Sequence, residues 1–198
     1  MKGAARCASA GAALVLAACG AKPGLDRAQD AELLATAPSG KSSIFVRKSR
    51  DAEMVGTELL LAKDRGHLPG KAIDLPDDIG LSQSPPHKLS FTWSKDERRI
   101  IMVAGWRYND TVFFCDQSVQ PLGFKELKEP DWPVVISGEE RKPQFEWTGF
   151  KYYVDSASFA GDDEVRLKYR VSQGEKESSY EFNYRFGKDA STGPVLVR

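Results

Sequence analysis

The stretch that most constrains this chain runs from Glu164 to Phe186. Val165, Leu167, Tyr169 and Val171 alternate there with Arg166, Lys168 and Arg170, and Tyr180, Phe182, Tyr184 and Phe186 alternate with Glu181, Asn183 and Arg185. A period of two sends successive side chains to opposite faces, so each segment reads as a half-buried strand. Pairing Tyr169 with Tyr180 superposes the two apolar faces and sets Lys168 opposite Glu181, a cross-strand charge pair worth about 0.2–1 kcal/mol. A slip of one residue would turn every apolar side chain outward, so the register is strongly specified.

The same kind of pattern extends back to Ser42 as short β-branched and aromatic runs divided by turn residues. Strands are expected at residues 43–48, 57–62, 88–94, 99–106, 111–116, 134–137, 144–148, 150–155, 164–172, 178–186 and 195–197. Residues 42–198 then form a single β-rich domain, all-β and antiparallel, as a sandwich, a barrel or a small propeller-like body. A chain of 198 residues buries one sizeable core. Its 41% hydrophobic and 28% charged residues are ordinary for a folded protein.

The amino terminus is built differently. Lys2 and Arg6 precede an apolar run through Ala12, Ala13, Leu14, Val15 and Leu16, which ends in small residues before Cys19. Residues 1–18 thus have the charged, apolar and small-residue regions of a secretory signal peptide. The run is too short for the roughly 20 residues of a membrane-spanning helix. Leu16-Ala17-Ala18-Cys19-Gly20 resembles the lipobox of bacterial lipoproteins. That resemblance implies cleavage before Cys19, a diacylglycerol thioether on its sulfur and a further fatty acyl chain, typically palmitate, on the new amino terminus. One chain anchors only marginally and two or three hold lastingly. The class implies the periplasmic side of an envelope membrane, and Gly20 in place of Asp after the cysteine favours the outer membrane. Residues 19–41, rich in Ala, Gly and Pro, read as the lipidated cysteine and a flexible tether, with a short helix from about Asp26 to Ala37.

Cleavage removes Cys7 and lipidation consumes Cys19, leaving Cys115 as the one free thiol and no intrachain disulfide. Strand alternation puts Cys115 on the face of Phe113, which suits a buried structural cysteine. Lys plus Arg and Asp plus Glu both number 28, and residues 20–198 carry a net charge of −2, which argues against nucleic acid as a partner. Residues 91–116 hold the hairpin Phe91-Thr92-Trp93-Ser94-Lys95-Asp96-Glu97-Arg98-Arg99 and the strands after it. They resemble one repeat of the periplasmic β-propellers related to TolB, where a Trp-Ser-Pro-Asp-Gly-type turn precedes an apolar strand. Lys95 stands for the usual proline and Glu97 for the usual glycine. At about 40 residues per blade, the body is too short for six or seven blades.

No sequence signature marks a catalytic residue, a metal site or a cofactor: the zinc helix, the phosphate loop and the Ser-x-x-Lys pair are all missing. Gly80-Leu81-Ser82-Gln83-Ser84 lacks the closing glycine of a nucleophile elbow. His67 and His87 read as loop residues. Glu139-Glu140 and Asp162-Asp163-Glu164 fit solvated turns, with acid–base work on a glycan as the alternative. Asp77-Asp78 lacks the spaced ligands of a calcium loop. Phe145, Trp147, Phe150 and Tyr152 read as core around Gly149.

The remaining candidates are surfaces. Trp106 and Tyr108 precede the Asn109-Asp110 turn, and Trp132 sits among prolines in Glu129-Pro130-Asp131-Trp132-Pro133. Loop aromatics of this kind anchor protein interfaces, with burial under a loop as the alternative. Arg166, Lys168 and Arg170 form a cationic stripe suited to an acidic partner, or else a solvated face matched by Glu181. The expected role is a non-catalytic module, anchored in the membrane by its N-terminal lipid, that binds another envelope protein as an accessory subunit or an inhibitor of the immunity-protein kind. A glycan-directed enzyme or carbohydrate binder would instead show an acidic cleft lined by Trp or Tyr, and a purely structural lipoprotein would show neither cleft nor exposed aromatic patch.

Overall fold

The alternating segments pair as antiparallel meanders. The structure, a computed structural model, describes residues 31–48, 57–63, 71–75, 86–137, 150–187 and 193–197. A first sheet runs β1 (Ala31–Thr36), β2 (Ser42–Lys48), β3 (Thr57–Lys63) and β4 (Lys71–Ile73). The second is β5 (Lys88–Trp93), β6 (Arg99–Gly105), β7 (Asp110–Asp116) and β8 (Lys125–Glu126), followed by the helix α1 (Trp132–Ser137). The third is β9 (Phe150–Phe159), β10 (Glu164–Gln173), β11 (Lys176–Arg185) and β12 (Val195–Val197). In every sheet each strand lies beside its neighbour in sequence, and β5, the first strand of its sheet, adjoins the first strands of the other two. Of the all-β arrangements expected, this is the propeller-like one: three consecutive four-stranded blades stacked face to face.

The middle blade explains the stacking. All seven residues of β6 are buried, because its run Ile100-Ile101-Met102-Val103-Ala104 is apolar on both faces. Ile100, Met102 and Ala104 join Ile44, Leu59 and Leu61 of the first sheet in one core. Ile101 and Val103 join Val165, Leu167 and Tyr169 of the third sheet in another. Each such aliphatic side chain contributes about 1.5–3 kcal/mol on burial. Cys115 shares the first core with Phe113. Burial pushes its thiol up to about 12, with the Asp116 charge adding to that and a bond from the Gly123 backbone opposing it. An unreactive thiol results.

The β10–β11 register is the expected one, with Tyr169 opposite Tyr180 and Lys168 opposite Glu181. Two elements differ from expectation. Residues 31–36 lie where a helix in the tether is expected, yet they form β1, because β2 leaves an unpaired edge that Ala31–Thr36 fills. The folded body therefore takes in this segment. The Pro38-Ser39-Gly40 turn closes that hairpin, with Ala37 N–H donating to Ser42 O at 2.8 Å and Gly40 at φ 73°, a left-handed conformation that favours glycine. Residues 134–137, expected as a strand, lie in α1: Pro133 fits a first helical turn, where its missing N–H costs nothing, and overrides the β preference of Val134, Val135 and Ile136. The strand expected at 144–148 lies outside the described residues.

Polar clasps tie the blades together. Arg99 Nε donates to Asp116 Oδ2 at 3.3 Å, its Nη1 bonds both Asp162 O and Asp163 Oδ1, and its guanidinium lies 4.7 Å from the Phe186 ring centre. Burial pushes the Asp116 carboxyl up, but bonds from Arg98 and Ser118 outweigh it and hold the group below its usual range. Glu97 occupies the motif's glycine position at φ 57°. Its carboxylate accepts from Ser39 N–H at 2.7 Å and Ser39 Oγ at 2.8 Å, so the strained residue anchors the first blade to the second.

Candidate functional site

The β6–β7 turn, Trp106 to Asn109, is fixed by bonds to its own ends and to the next blade. Trp106 N–H donates to Asn109 O at 2.9 Å. Tyr152 N–H donates to Tyr108 O at 3.3 Å, and the Tyr153 hydroxyl donates to Arg107 O at 3.1 Å. Behind it, the Tyr152 hydroxyl donates to Glu129 Oε1 at 3.0 Å. At the foot of the turn, Asp110 Oδ2 accepts the Val154 N–H at 2.8 Å. Burial raises the Asp110 carboxyl above its ordinary value, and the Val154 bond offsets that only in part. Gly105 makes room for this arrangement, since a Cβ there would stand 2.9 Å from Asp110 Oδ1.

A cleft of about 310 Å³ opens beside the turn, walled by Trp106, Tyr153, Asp110, Asp155, His87 and Arg170. It is at the small end of ligand-site volumes. Asp155 reaches it through a bulge: Val154 pairs with Tyr169 and Ser156 with Lys168, leaving Asp155 without an opposite residue. Arg170 Nε then meets Asp155 Oδ1 at 3.2 Å while its guanidinium lies 5.4 Å from the Tyr153 ring centre. Just outside, Tyr108 is 52% exposed, with Arg107 and Lys151 at 5.1 and 5.6 Å from its ring centre.

Three of the surface residues expected from the sequence thus converge. Trp106 lines the cleft half-buried, Arg170 forms its far wall and Tyr108 stands exposed at its rim. His87 joins them from the start of the middle blade. Trp132 does not. It is 4% exposed, packed edge-on against Tyr169 at 5.0 Å and beside Tyr152 at 5.3 Å, because the short helix turns its ring into the second core. Burial excludes it as an exposed anchor. Arg166 and Lys168 lie on the outward face of the third sheet, where Arg166 pairs with Glu181 at 3.2 Å and Arg185 with Glu164 at 3.0 Å. Asp162 and Asp163 serve the Arg99 clasp and the turn before it. Neither Tyr153 nor Asp155 is singled out in the sequence: Tyr153 stands opposite Arg170 in the β9–β10 register, and Asp155 comes in through a bulge that alternation does not reveal. Cys19, His67, Asp77, Asp78, Glu139, Glu140, Phe145, Trp147 and the Gly80–Ser84 stretch lie outside the described residues. Among the described residues no group of three or more His, Cys, Asp or Glu side chains gathers as a metal site would require.

A second cleft, about 440 Å³, opens beside the Glu97 turn, but Asp96, Glu97 and Arg98 there are spent on Ser94, Ser39 and Asp116. No aromatic side chain lines it. The aromatic cleft is the better candidate.

Among the described residues, fold and cleft together define three consecutive four-stranded antiparallel sheets with an aromatic and cationic edge. No known protein family matches the sequence, and no curated protein matches it. Among solved structures it is similar to the β-propeller domain of the trilobed protease from Pyrococcus furiosus, described as having an open velcro topology, at 15% identity and a TM-score of 0.38. The match covers 84% of this chain and 54% of that one, so this chain spans about half the length of its structural neighbour.

Proposed function

We propose that this chain is a lipid-anchored, non-catalytic binding module on the periplasmic side of a bacterial envelope, favouring the outer membrane. It engages another envelope protein, as an accessory subunit or an immunity-type inhibitor, through the edge that carries Trp106, Tyr108, Tyr153 and Arg170. The observation that supports it best is the exposed Tyr108 ring, held between Arg107 and Lys151 on a turn bonded to the neighbouring blade. Tyr, Trp and Arg dominate interface hot spots, and a pre-ordered turn loses little entropy on docking. The lipobox-like Cys19 supplies the anchor.

Chemical crosslinking in living cells, followed by affinity purification of the tagged full-length chain, tests this reading. One dominant protein should be captured and lost with Tyr108→Ala, while Cys19→Ala should abolish acylation and membrane association. An absent partner, or capture indifferent to Tyr108, would contradict the binding role. Unchanged membrane association in Cys19→Ala would contradict the anchor.

A second reading rests on one observation: Asp110 and Asp155 share the cleft with Trp106 and Tyr153, as a sugar site would require. It is weaker because Asp155 is bonded to Arg170 and Asp110 to Val154. Glycan turnover by the purified protein that vanished in Asp155→Asn would favour it.

A further inference from the structure

The charges around Tyr108 say what kind of partner segment the edge takes. On the outward face of the third sheet every arginine has a carboxylate: Arg166 has Glu181, Arg170 has Asp155 and Glu177, Arg185 has Glu164. The arginines of that face are thus already matched to acids of their own. At the cleft edge the balance is different. Lys88 lines the cleft beside Asp110 and its charge favours that carboxylate, whereas Arg107 and Lys151 form no ion pair with any carboxylate among the described residues and lie by the Tyr108 ring instead. Of the two cleft acids, Asp155 is matched by Arg170, and Asp110 is buried and turned to the Val154 N–H. Among the described residues the edge therefore presents two cations without a carboxylate partner, Arg107 and Lys151, beside an exposed aromatic ring, and no exposed unmatched acid.

We infer that this edge receives a carboxylate-rich segment of the partner protein, whose Asp and Glu side chains pair with Arg107 and Lys151 while an apolar or planar side chain packs on Tyr108. This deepens the binding reading and rests on it. Charge-assisted bonds from Arg and Lys to carboxylates are short and strong, and a cation already stacked on a ring is partly oriented for them. Interfacial charge of one sign also excludes partners of the same sign.

The test replaces Tyr108 with the photo-crosslinker p-benzoylphenylalanine in the full-length, lipidated chain, irradiates living cells and sequences the crosslinked peptide. The expected adduct is a protein segment of net negative charge. Its yield should fall about tenfold or more in Arg107→Glu with Lys151→Glu, the direction like-charge contact imposes, and be largely kept in Arg107→Lys. The melting temperature of each variant shows that folding is retained. An adduct to a neutral or basic segment, a yield indifferent to charge reversal, or an adduct to lipid or glycan would overturn the inference. So would no adduct at position 108 while chemical crosslinking still captures a partner; the binding reading would then survive. Loss of capture by both methods would overturn the binding reading itself.

Discussion

Arg99→Ala is the substitution whose consequence follows most directly from the structure. The Arg99 side chain is 5% exposed and its chief partner, Asp116, 2%, so the pair sits inside the joint between the second and third blades. Removing one member of a buried ion pair costs about 3–5 kcal/mol, because the other is left desolvated. Two features set the value at the lower end. Asp116 keeps Arg98 Nε at 2.9 Å and the Ser118 hydroxyl at 2.7 Å, and Asp163 is 72% exposed, so its contribution is that of a surface pair, about 0–1 kcal/mol. The expected loss is about 3 kcal/mol, which for a chain of this length lowers the melting temperature by roughly 6–12 °C. Urea unfolding followed by tryptophan fluorescence measures it, with an unchanged denaturant slope showing that the native state is intact. Asp163→Ala should cost about 1 kcal/mol or less. Asp116→Asn added to Arg99→Met should cost less than the sum of the two single changes, since each leaves the other's partner unmatched. An Arg99→Ala loss below about 1 kcal/mol, or an Asp163→Ala loss equal to it, would refute the buried-clasp reasoning.

The other predictions concern single residues. Glu97→Ala keeps the left-handed strain and loses both Ser39 bonds, costing about 1–2 kcal/mol, whereas Glu97→Gly relieves the strain and should cost clearly less; equal costs in urea unfolding would contradict the clasp. Gly105→Ala would place a methyl 2.9 Å from Asp110 Oδ1 and should cost about 1–3 kcal/mol while weakening partner capture, and a neutral outcome would refute the close approach. The Asp110 carboxyl titrates above its ordinary 3.8 because burial outweighs the Val154 bond. Its contribution to stability is thus fully present below 3.8 and lost as pH rises through the folded value. Asp116 and Asp96, held below their ordinary values, act oppositely: their contribution is present above 3.8 and lost as pH falls. Unfolding free energies followed upward from pH 3.8 should therefore fall less steeply, or rise more steeply, in Asp110→Asn than in the parent, and parallel curves would refute the assignment.

How much of this was written in the sequence depends on how local the cause is. The β10–β11 register follows from alternation alone, since only one pairing buries Val165, Leu167, Tyr169 and Tyr184 together. The burial of Cys115 follows in the same way from its place beside Phe113. Residues 31–36 were not legible, because Leu33, Leu34 and Ala35 are good helix formers and only the open edge of β2 makes them a strand. For Trp132 the local sequence leaves both readings open, interface anchor or burial under a loop: its proline neighbours suggest a loop, and its burial depends on the third sheet packing against it. Trp106, Tyr108 and Arg170 could each be singled out, but their convergence could not. It hangs on Asp110 holding Val154, 44 residues away, and on a bulge at Asp155 that no local pattern announces.

The most direct test of the central claim is amide hydrogen exchange of the full-length chain with and without its captured partner. Slowed exchange at residues 106–110 and 151–155, with residues 164–168 of β10 unchanged, is the result predicted. Protection confined to β10 and β11, or spread nowhere along this edge, would contradict the assignment of the Tyr108 edge as the binding surface.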